Sequence, residues 1–358
     1  MAVYLTNIAL ILLLGYVFLI KYPGKDNKNK GWYCAIVAFQ WFLVSGLRDW
    51  SVGADTYAYY ISFERVKHTP WSRILLDFWN YVAHGADIKD PGYAIVEKLF
   101  QYVSGNYQIF LLAIAALFMG AMAVWIYKNS NMPCFSYILF STLFYSFYAV
   151  TGHRQTIATA LIVFMGYECI KKRRPIRFAI LAFIAFFIHK SSIVFVPFYF
   201  IANIPITIPY VIIALVVVAT VALLGKPLYG AVANWMGFGE GMIEYDVGGA
   251  ETYATVLVMM CILILATYPL YKKHRENANY IFNITLLTLM SSLLVYQNQS
   301  FMRIQQYYSL FLMISFPEVL SCCEKRTRTL AYFGAAALMI LYLIIQSPHY
   351  ALFFMGGA

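Results

Sequence analysis

The chain has 358 residues, of which 62% are hydrophobic and only 12% are charged. A soluble domain is about 45–50% apolar and about 25% charged, so this composition excludes a soluble globular protein, a disordered chain and a small disulfide-rich secreted protein. It predicts an all-α integral membrane protein. The net charge of +10 does not indicate a nucleic-acid partner, because the basic residues form short clusters between apolar runs, as in loops that set membrane orientation.

The apolar runs predict about twelve transmembrane helices, since a span needs about 20 apolar residues. In chain order they cover residues 2–20, 31–47, 107–127, 133–149, 155–170, 178–189, 192–203, 209–225, 252–270, 280–296, 304–321 and 329–346. The pair 178–189 and 192–203 is short, and predicts either two tilted spans or one broken hairpin. We find neither a sequence repeat nor a soluble domain, so residues 1–358 are predicted to form a single polytopic membrane domain.

Two long segments are predicted on one side of the membrane, the outer side. Segment 48–106 is the largest polar stretch, and within it residues 71–85 and 91–103 have the amphipathic pattern of short helices lying on the membrane face. Segment 226–251 is rich in glycine and acidic residues and is predicted to be a mobile loop. The opposite loops hold most of the 26 basic residues, which places them in the cytoplasm and both chain ends outside.

Four basic residues do not fit this explanation, because each lies at or near the outer end of an apolar span. They are Arg48, Arg154, Lys190 and Arg303. A charge at this depth is costly unless it faces a wet cavity or an anion, and the arginine fork suits a phosphate. The four predict one anion site; alternatively, each reaches lipid headgroups or pairs with a nearby acid.

Arg48 opens the outer segment and is followed by two carboxylates, Asp49 and Asp55, with Gly53 between them to allow a tight turn. A carboxylate here could act as a general base toward a sugar hydroxyl. The alternative is that these carboxylates form an Asx turn or cap the next helix.

Two further polar stretches interrupt apolar runs. His153, Arg154 and Gln155 begin a span, where backbone N–H groups already favour an anion, although His153 could simply be an interface residue. His189, Lys190 and the serines after them stand at membrane depth, where polar groups need water, a ligand or each other. His189 could be a general base or a neutral donor; the alternative is a turn in which Ser191 or Ser192 caps the next helix.

Near the end of the chain, Arg303, Gln306 and Tyr307 share one helix face at i, i+3 and i+4. With Tyr308, they offer the amide and aromatic groups that suit sugar recognition. A packed tyrosine stripe in the bundle core is the alternative. The six cysteines lack metal-site spacing, and no motif for nucleotide or metal hydrolysis occurs, so neither a cofactor nor a metal is predicted.

At these residues the sequence resembles the EpsG family, relatives of the Wzy-type polymerases of bacterial surface polysaccharides. The matching pieces are Gly46-Leu47-Arg48, Gly53-x-Asp55-Thr56-x-x-Tyr59-x-x-x-Phe63, Pro91-Gly92-Tyr93, Arg154-Gln155-x-x-Ala158, His189-Lys190-Ser191, and Arg303 with Tyr307 and Tyr308. The chain departs from the pattern at Ala54, where threonine is common, and at Ser192, where alanine is common. Neither change removes a charged group.

The resemblance implies a glycosyltransferase of the bacterial plasma membrane whose active site faces outward. It implies as substrate an oligosaccharide linked to undecaprenyl pyrophosphate, and as product a glycan moved onto the non-reducing end of a new lipid-linked unit. A flippase and a chain-length regulator of the same pathway are the expected partners, besides membrane lipid. The fold expected by analogy is the helical GT-C-type class of lipid-linked glycosyltransferases.

The mechanism expected is a metal-independent displacement at the anomeric carbon. Arg154, Arg303 and Arg48 would stabilise the pyrophosphate, and Asp55 or His189 would orient or deprotonate the acceptor. Substrate contacts are expected from Asp49, Thr56, Tyr59, His153, Gln155, Lys190, Ser191, Gln306, Tyr307 and Tyr308. An O-antigen ligase-like transferase and a lipid-linked oligosaccharide flippase are the alternative functions.

Overall fold

A computed structural model describes residues 1–22, 27–236, 249–274 and 276–354, and most of them are helical. This follows from the composition, because backbone groups in an apolar solvent must bond within their own segment. The helices are α1 (Ala2–Gly15), α2 (Lys28–Gly46), α3 (Thr56–His68), α4 (Trp71–His84), α5 (Pro91–Phe100), α6 (Tyr107–Asn129), α7 (Pro133–Leu139), α8 (His153–Thr159), α9 (Gly166–Lys171), α10 (Pro175–Ile188), α11 (Val196–Ile201), α12 (Ile208–Met236), α13 (Ala250–Ala266), α14 (Tyr268–Lys272), α15 (Ala278–Val295), α16 (Met302–Ser309), α17 (Leu312–Ser321) and α18 (Lys325–Gln346).

Several helices are extended by segments with π-helical or 3-10 winding. They are Tyr16–Lys21, Phe140–Phe144, Ser146–Thr151, Ala160–Met165, Lys190–Phe195 and Gln299–Phe301. With these extensions, each predicted apolar run lies largely in helix. Within the described ranges, four helices are long and apolar enough on their own to cross a membrane: Ala2–Lys21, Tyr107–Asn129, Ala278–Val295 and Lys325–Gln346. The chain is therefore a membrane-embedded helical protein.

The polar segment 48–106 contains the two predicted amphipathic helices, as α4 and α5, and also α3, which precedes them. The predicted loop over 226–251 is shorter than expected. Helix α12 kinks at Leu224 (φ −105°), three residues before Pro227, and then continues to Met236, as expected where a proline ring interrupts the helical ladder. Residues 237–248 of that loop lie outside the described residues.

The described chain divides into two compact units, Met1–Ser192 with Phe333–Ala358, and Ile193–Tyr332. In the first unit, α2 and α6 run antiparallel. Gly46 lets them approach closely at one end, because a Cβ there would lie 2.6 Å from Leu112. At the other end the Lys30 ammonium donates to the Ser130 carbonyl at 2.8 Å.

The first unit therefore has two distinct ends. The site end, defined here by Arg48, Tyr107, His153 and His189, gathers the C-termini of α2 and α10 and the N-termini of α6 and α8. The opposite end holds a lysine cluster on Glu168, with Lys171 at 2.8 Å and Lys128 at 4.0 Å.

In the second unit, α15 packs against neighbouring helices and buries an asparagine. The Asn283 amide donates to the Ile201 and Ile204 carbonyls at 2.8 and 3.1 Å, and accepts from the Tyr210 hydroxyl at 2.8 Å. These bonds satisfy carbonyls at the end of α11 that have no partner within the helix. They also fix α11 and α12 against α15.

Candidate active site

Asp90, at the start of α5, joins most of the polar groups at the site end. Its Oδ2 lies 3.0 Å from Arg154 Nη1 and 3.1 Å from His189 Nδ1, and its Oδ1 accepts from the Lys190 backbone N–H at 3.0 Å. The residue is only 8% exposed. One carboxylate thus connects α5, α8 and the end of α10, which are far apart in sequence.

The backbone conformation at Asp90 and at the start of α5 directs the carboxylate into the site. The residue has a left-handed φ of 50°, and its side chain makes no capping bond to α5, so both of its oxygens are used across the site. Pro91 then begins α5 with a preset φ. Gly92 allows α5 to lie against α10, because a Cβ there would stand 2.7 Å from the Phe187 carbonyl oxygen. That close approach brings Asp90 within reach of His189.

Arg154 is held by a carboxylate and two aromatic rings. Besides the ion pair with Asp90, its Nε donates to the Tyr59 hydroxyl at 3.4 Å. Its guanidinium lies 5.3 Å from the Tyr59 ring centroid and 6.0 Å from that of Tyr93, within cation–π range. The pairing with a nearby acid, expected as an alternative for each cation, is thus present for Arg154. Its side chain remains 19% exposed.

His189 is oriented by its hydrogen bond to Asp90. The carboxylate is the acceptor, so Nδ1 carries the proton and Nε2 is the nitrogen that can accept one. Burial opposes the charged form of Asp90, but the hydrogen bond from His189 and the nearby Arg154 outweigh it, so the pKa of Asp90 lies below its usual value. A histidine fixed by a carboxylate is the arrangement of a general base.

His153 has a different hydrogen-bond pattern, although it neighbours Arg154. Arg48 Nη2 lies 2.7 Å from His153 Nε2, and a guanidinium can only donate, so Nε2 must be an unprotonated acceptor. The other nitrogen lies 3.5 Å from the Tyr107 hydroxyl, which donates to the Thr56 carbonyl at 3.0 Å. His153 is also stacked on Tyr59 with centroids 4.4 Å apart. The ring is therefore neutral and fixed.

Arg48 is buried, with 3% exposure, because the end of the chain covers it. Residues 348–353 lie along the end of α2. Leu352 forms a bridge with Arg48, Ala351 accepts from the Asp49 backbone N–H at 2.9 Å, and Pro348 accepts from the Met1 amino group at 2.9 Å. Arg48 Nη1 donates to the Ser45 carbonyl. Sequence reasoning gave no sign of this C-terminal strap (residues 348–353).

The turn after Arg48 uses its polar side chains locally. Asp49 accepts from the Ser51 backbone N–H at 2.9 Å, which is the Asx turn that the sequence offered as the alternative to a general base. Thr56 donates to the Val52 and Val150 carbonyls at 2.8 and 3.1 Å. Gly53 has a φ of 103°, as its place in a tight turn predicted. Asp55 stands at the N-cap of α3 without a side-chain capping bond and is exposed. Among the contacts of the described residues, none joins Asp55 to Arg154 or His189.

An apolar and aromatic cluster lies beside these polar groups. Its buried members are Tyr59, Phe63, Tyr93, Tyr107, Phe110, Leu111, Ile114, Ile157 and Ile188. Glu97, one turn after Tyr93, is also fully buried and accepts from the Ser62 hydroxyl at 3.1 Å. Burial raises the pKa of Glu97 to about 8.

The remaining predicted residues of the first unit are buried nearby. Gln155 follows Arg154 on α8 with 2% exposure, and Ser191 follows Lys190 with 2% exposure. The Ser192 N–H donates to the His189 carbonyl at 2.9 Å, which forms the turn that the sequence allowed. Lys190 contributes its backbone N–H to Asp90, as described above.

The predicted residues of the second unit lie together on α16. Arg303 is partly buried, and Gln306, Tyr307 and Tyr308 are buried. Tyr308 donates to the Val194 carbonyl. The i, i+3, i+4 face is helical as predicted, and the burial of Tyr307 fits the packed-stripe alternative as well.

The sequence analysis did not single out Asp90. In the sequence it was marked by its place immediately before Pro91-Gly92-Tyr93. The polar segment 48–106 contains several other acidic residues, and the sequence does not distinguish Asp90 from them. Among the described residues, no group of three or more His, Cys, Asp or Glu side chains is placed to hold a metal ion.

Comparison with known proteins gives one match. A family model described as the EpsG family matches residues 31–355, nearly the whole chain. No curated protein and no solved structure matches it.

Proposed function

Because the chain belongs to the EpsG family, a family of Wzy-type polysaccharide polymerases, we propose that it is the polymerase of a bacterial surface polysaccharide. Its substrate is an oligosaccharide repeat unit on undecaprenyl pyrophosphate, and it joins the growing glycan to the non-reducing end of the next unit. The observation that carries this proposal is the family match across residues 31–355. We also propose a fold of the GT-C type with about twelve spans, on the basis of the twelve apolar runs.

In the proposed reaction, the acceptor hydroxyl oxygen attacks the anomeric carbon of the growing glycan's first sugar. The bond from that carbon to the pyrophosphate oxygen breaks, and undecaprenyl pyrophosphate leaves with the electron pair. The proton of the hydroxyl passes to a base and then to solvent. The main catalytic demand is charge stabilisation on the leaving group.

Arg154 is our first choice for contact with the pyrophosphate, followed by Arg303, and Arg48 is proposed to contribute its positive charge indirectly, because it is buried. Arg154 is partly exposed at the site end and lies against two aromatic rings, so it combines access with a fixed direction. Arg48 is buried behind His153 and supports the site through that ring. These cations can supply the charge stabilisation without a metal ion.

For the proton acceptor, the geometry favours His189 over Asp55. His189 Nδ1 is fixed by Asp90, which leaves Nε2 to accept a proton. Asp55 is exposed and belongs to a turn. His189 and Arg154 share Asp90, so the base and the leaving-group cation stand on either side of one carboxylate.

The test is reconstitution of the full chain in nanodiscs with the lipid-linked repeat unit of its own gene cluster. Wild type is expected to give a glycan ladder on a gel, with or without chelator. Arg154→Ala and Arg303→Ala are expected to lose it. Arg73→Ala is the matched control, because Arg73 is exposed and pairs with Asp77 in the same outer segment.

A ladder that persists in Arg154→Ala would contradict the role of that arginine. The polymerase proposal would be wrong if well-folded wild type moved the lipid-linked unit across the bilayer, which indicates a flippase. It would also be wrong if the protein transferred the glycan to a different acceptor, which indicates a ligase.

A further inference from the structure

Asp90 has a role at the site end that neither the family match nor the sequence motifs assign. Asp90 has four distinctive features: an ion pair to Arg154, a hydrogen bond from His189, a hydrogen bond from the Lys190 backbone N–H and a left-handed backbone. Non-glycine residues adopt such a φ at some energetic cost, and this cost is usually retained at functional sites.

Building on the proposed function, we propose that Asp90 is a positioning residue with two tasks. It orients His189 as the proton acceptor, and it is the resident counter-ion of Arg154 that the pyrophosphate of the substrate displaces.

The first task follows from the hydrogen-bond geometry. Asp90 Oδ2 accepts from His189 Nδ1 at 3.1 Å, while Oδ1 is held by the Lys190 N–H at 3.0 Å. The second bond prevents the carboxylate from rotating away. His189 is thus kept in the tautomer in which Nε2 accepts, as in other sites where a carboxylate orients a histidine base.

The second task follows from the shared oxygen. Oδ2 serves both Arg154 and His189, so a phosphate that takes over Arg154 leaves this oxygen to His189 alone. The negative charge then acts only on the imidazole and strengthens it as a base. Substrate binding and activation of the base are thereby coupled through one atom.

Other charged or titratable groups lie near Asp90 and His189 and contribute to any pH dependence of the site. They are Tyr59 on α3, Tyr81 on α4, Tyr93 and Glu97 on α5, His153 and Arg154 on α8, and Lys190 after α10. The tyrosines have pKa values above their usual range where burial acts on them. They stay neutral near pH 7, and His153 is already neutral because its Nε2 accepts from Arg48, so among these neighbours Glu97 changes charge in this range.

The test uses Asp90→Asn, which keeps the shape and removes the charge. We expect kcat to fall about 100-fold, the contribution typical of a general base, while KM does not rise. The acid limb of the kcat/KM profile should move to lower pH, because the imidazolium loses the anion that stabilises it. Asp77→Asn is the control, since Asp77 pairs with Arg73 at 3.1 Å in the same segment.

A double variant separates positioning from general stability. If Asp90 acts through His189, then Asp90→Asn combined with His189→Gln should be no slower than His189→Gln alone. Additive losses, or an acid limb unchanged in Asp90→Asn, would overturn the first task.

Binding of farnesyl pyrophosphate, a soluble lipid pyrophosphate, tests the second task without polymerisation. Asp90→Asn should bind it about 5-fold more tightly, because Arg154 is no longer occupied by its internal partner. Equal or weaker binding would overturn the displacement. This readout also separates the two proposals: a wild type that makes no polymer refutes the proposed function, whereas pyrophosphate binding still tests the role of Asp90.

If Asp90→Asn does not fold, Asp90→Glu replaces it. The longer carboxylate keeps the charge, so the acid limb should stay within the wild-type range while kcat falls. Wild-type kcat in Asp90→Glu would show that the position of the carboxylate does not matter, and would overturn the positioning role.

Discussion

At the scale of single residues, the site end contains two histidines whose surroundings give them opposite tasks. His189 donates to a carboxylate and keeps Nε2 as a proton acceptor, whereas His153 accepts from Arg48 through Nε2. The same side chain is thus a candidate base in one place and a support for an arginine in the other. The difference follows from the neighbour, since a carboxylate can only accept and a guanidinium can only donate.

These assignments predict different effects of one substitution. His189→Gln should reduce the polymerisation rate about 100-fold, because the base is lost. His153→Gln should cost less than about 10-fold, because the amide oxygen can still accept from Arg48. Initial rates of ladder formation at pH 7 measure both, with the amount of folded protein checked by size-exclusion chromatography. Equal losses in the two variants would contradict the assignment.

Glu97 gives a prediction about stability. Burial raises its pKa from 4.5 to about 8 in the folded protein, so between these pH values the folded state binds the proton more tightly than the unfolded state does. Stability from this group is therefore full below about pH 4.5 and falls as pH rises to about 8. Glu97→Gln should remove this fall, and should unfold at a higher temperature than wild type at pH 8.5.

The measurement is thermal unfolding in detergent at pH 5 and pH 8.5, followed by tryptophan fluorescence. At pH 5 the two proteins should differ less than at pH 8.5. A difference that is the same at both pH values would show that Glu97 does not titrate in this range.

At the scale of elements, the packing of α5 on α10 determines whether the site forms. A Cβ at position 92 would lie 2.7 Å from the Phe187 carbonyl oxygen, so only glycine allows this contact. Asp90 lies two residues before Gly92. The short Pro-Gly-Tyr motif therefore has three parts: a proline that begins the helix, a glycine that allows close contact, and a tyrosine ring beside Arg154.

Gly92→Ala should push α5 away from α10 and separate Asp90 from His189. We expect a loss of about 1–3 kcal/mol in stability, the usual cost of overpacking, and a polymerisation rate reduced more than stability alone explains. Gly120→Ala on α6 is the matched control, since a Cβ there meets nothing within 4 Å. Thermal unfolding and ladder formation measure the two effects. Wild-type behaviour of Gly92→Ala would show that the close approach is not needed.

At the scale of the whole molecule, the two ends of the first unit carry different charged groups. Lysines collect on Glu168 at one end, and the site end carries Asp90 with its cations. The Met1 amino group donates to the Pro348 carbonyl at the site end, so the two chain ends lie on the same side. We propose from the positive-inside rule that this side is the outer one.

The resulting orientation can be tested by labelling with a membrane-impermeant maleimide in intact cells. Cysteine introduced at Asp87, which is exposed after α4, should react from outside. Cysteine introduced at Lys172, which is exposed after α9, should react only after permeabilisation. Wild type is the blank for the native cysteines. The reverse pattern would invert the topology and place the site in the cytoplasm.

Part of the site was predictable from the sequence, through its cations. Arg154 and Lys190 were predicted because a charge at the end of an apolar span is costly and therefore needs a reason. The structure brings Arg154 and His189 together on Asp90, but Lys190 joins them through its backbone N–H and not through the charge that the argument used. Asp55 was predicted with them as a carboxylate near a cation, but it is exposed in a turn, because sequence adjacency does not fix the direction of a side chain.

By itself, the sequence determined the helical membrane class, the family and the residues whose charge needs an explanation, because composition, hydropathy and motif order are written along the chain. Only the tertiary structure decided which carboxylate serves these cations. Asp90 meets Arg154 and His189 across 64 and 99 residues of sequence, through a left-handed backbone and a glycine contact between α5 and α10. Pairings over such separations depend on how the helices pack, and no local pattern records them.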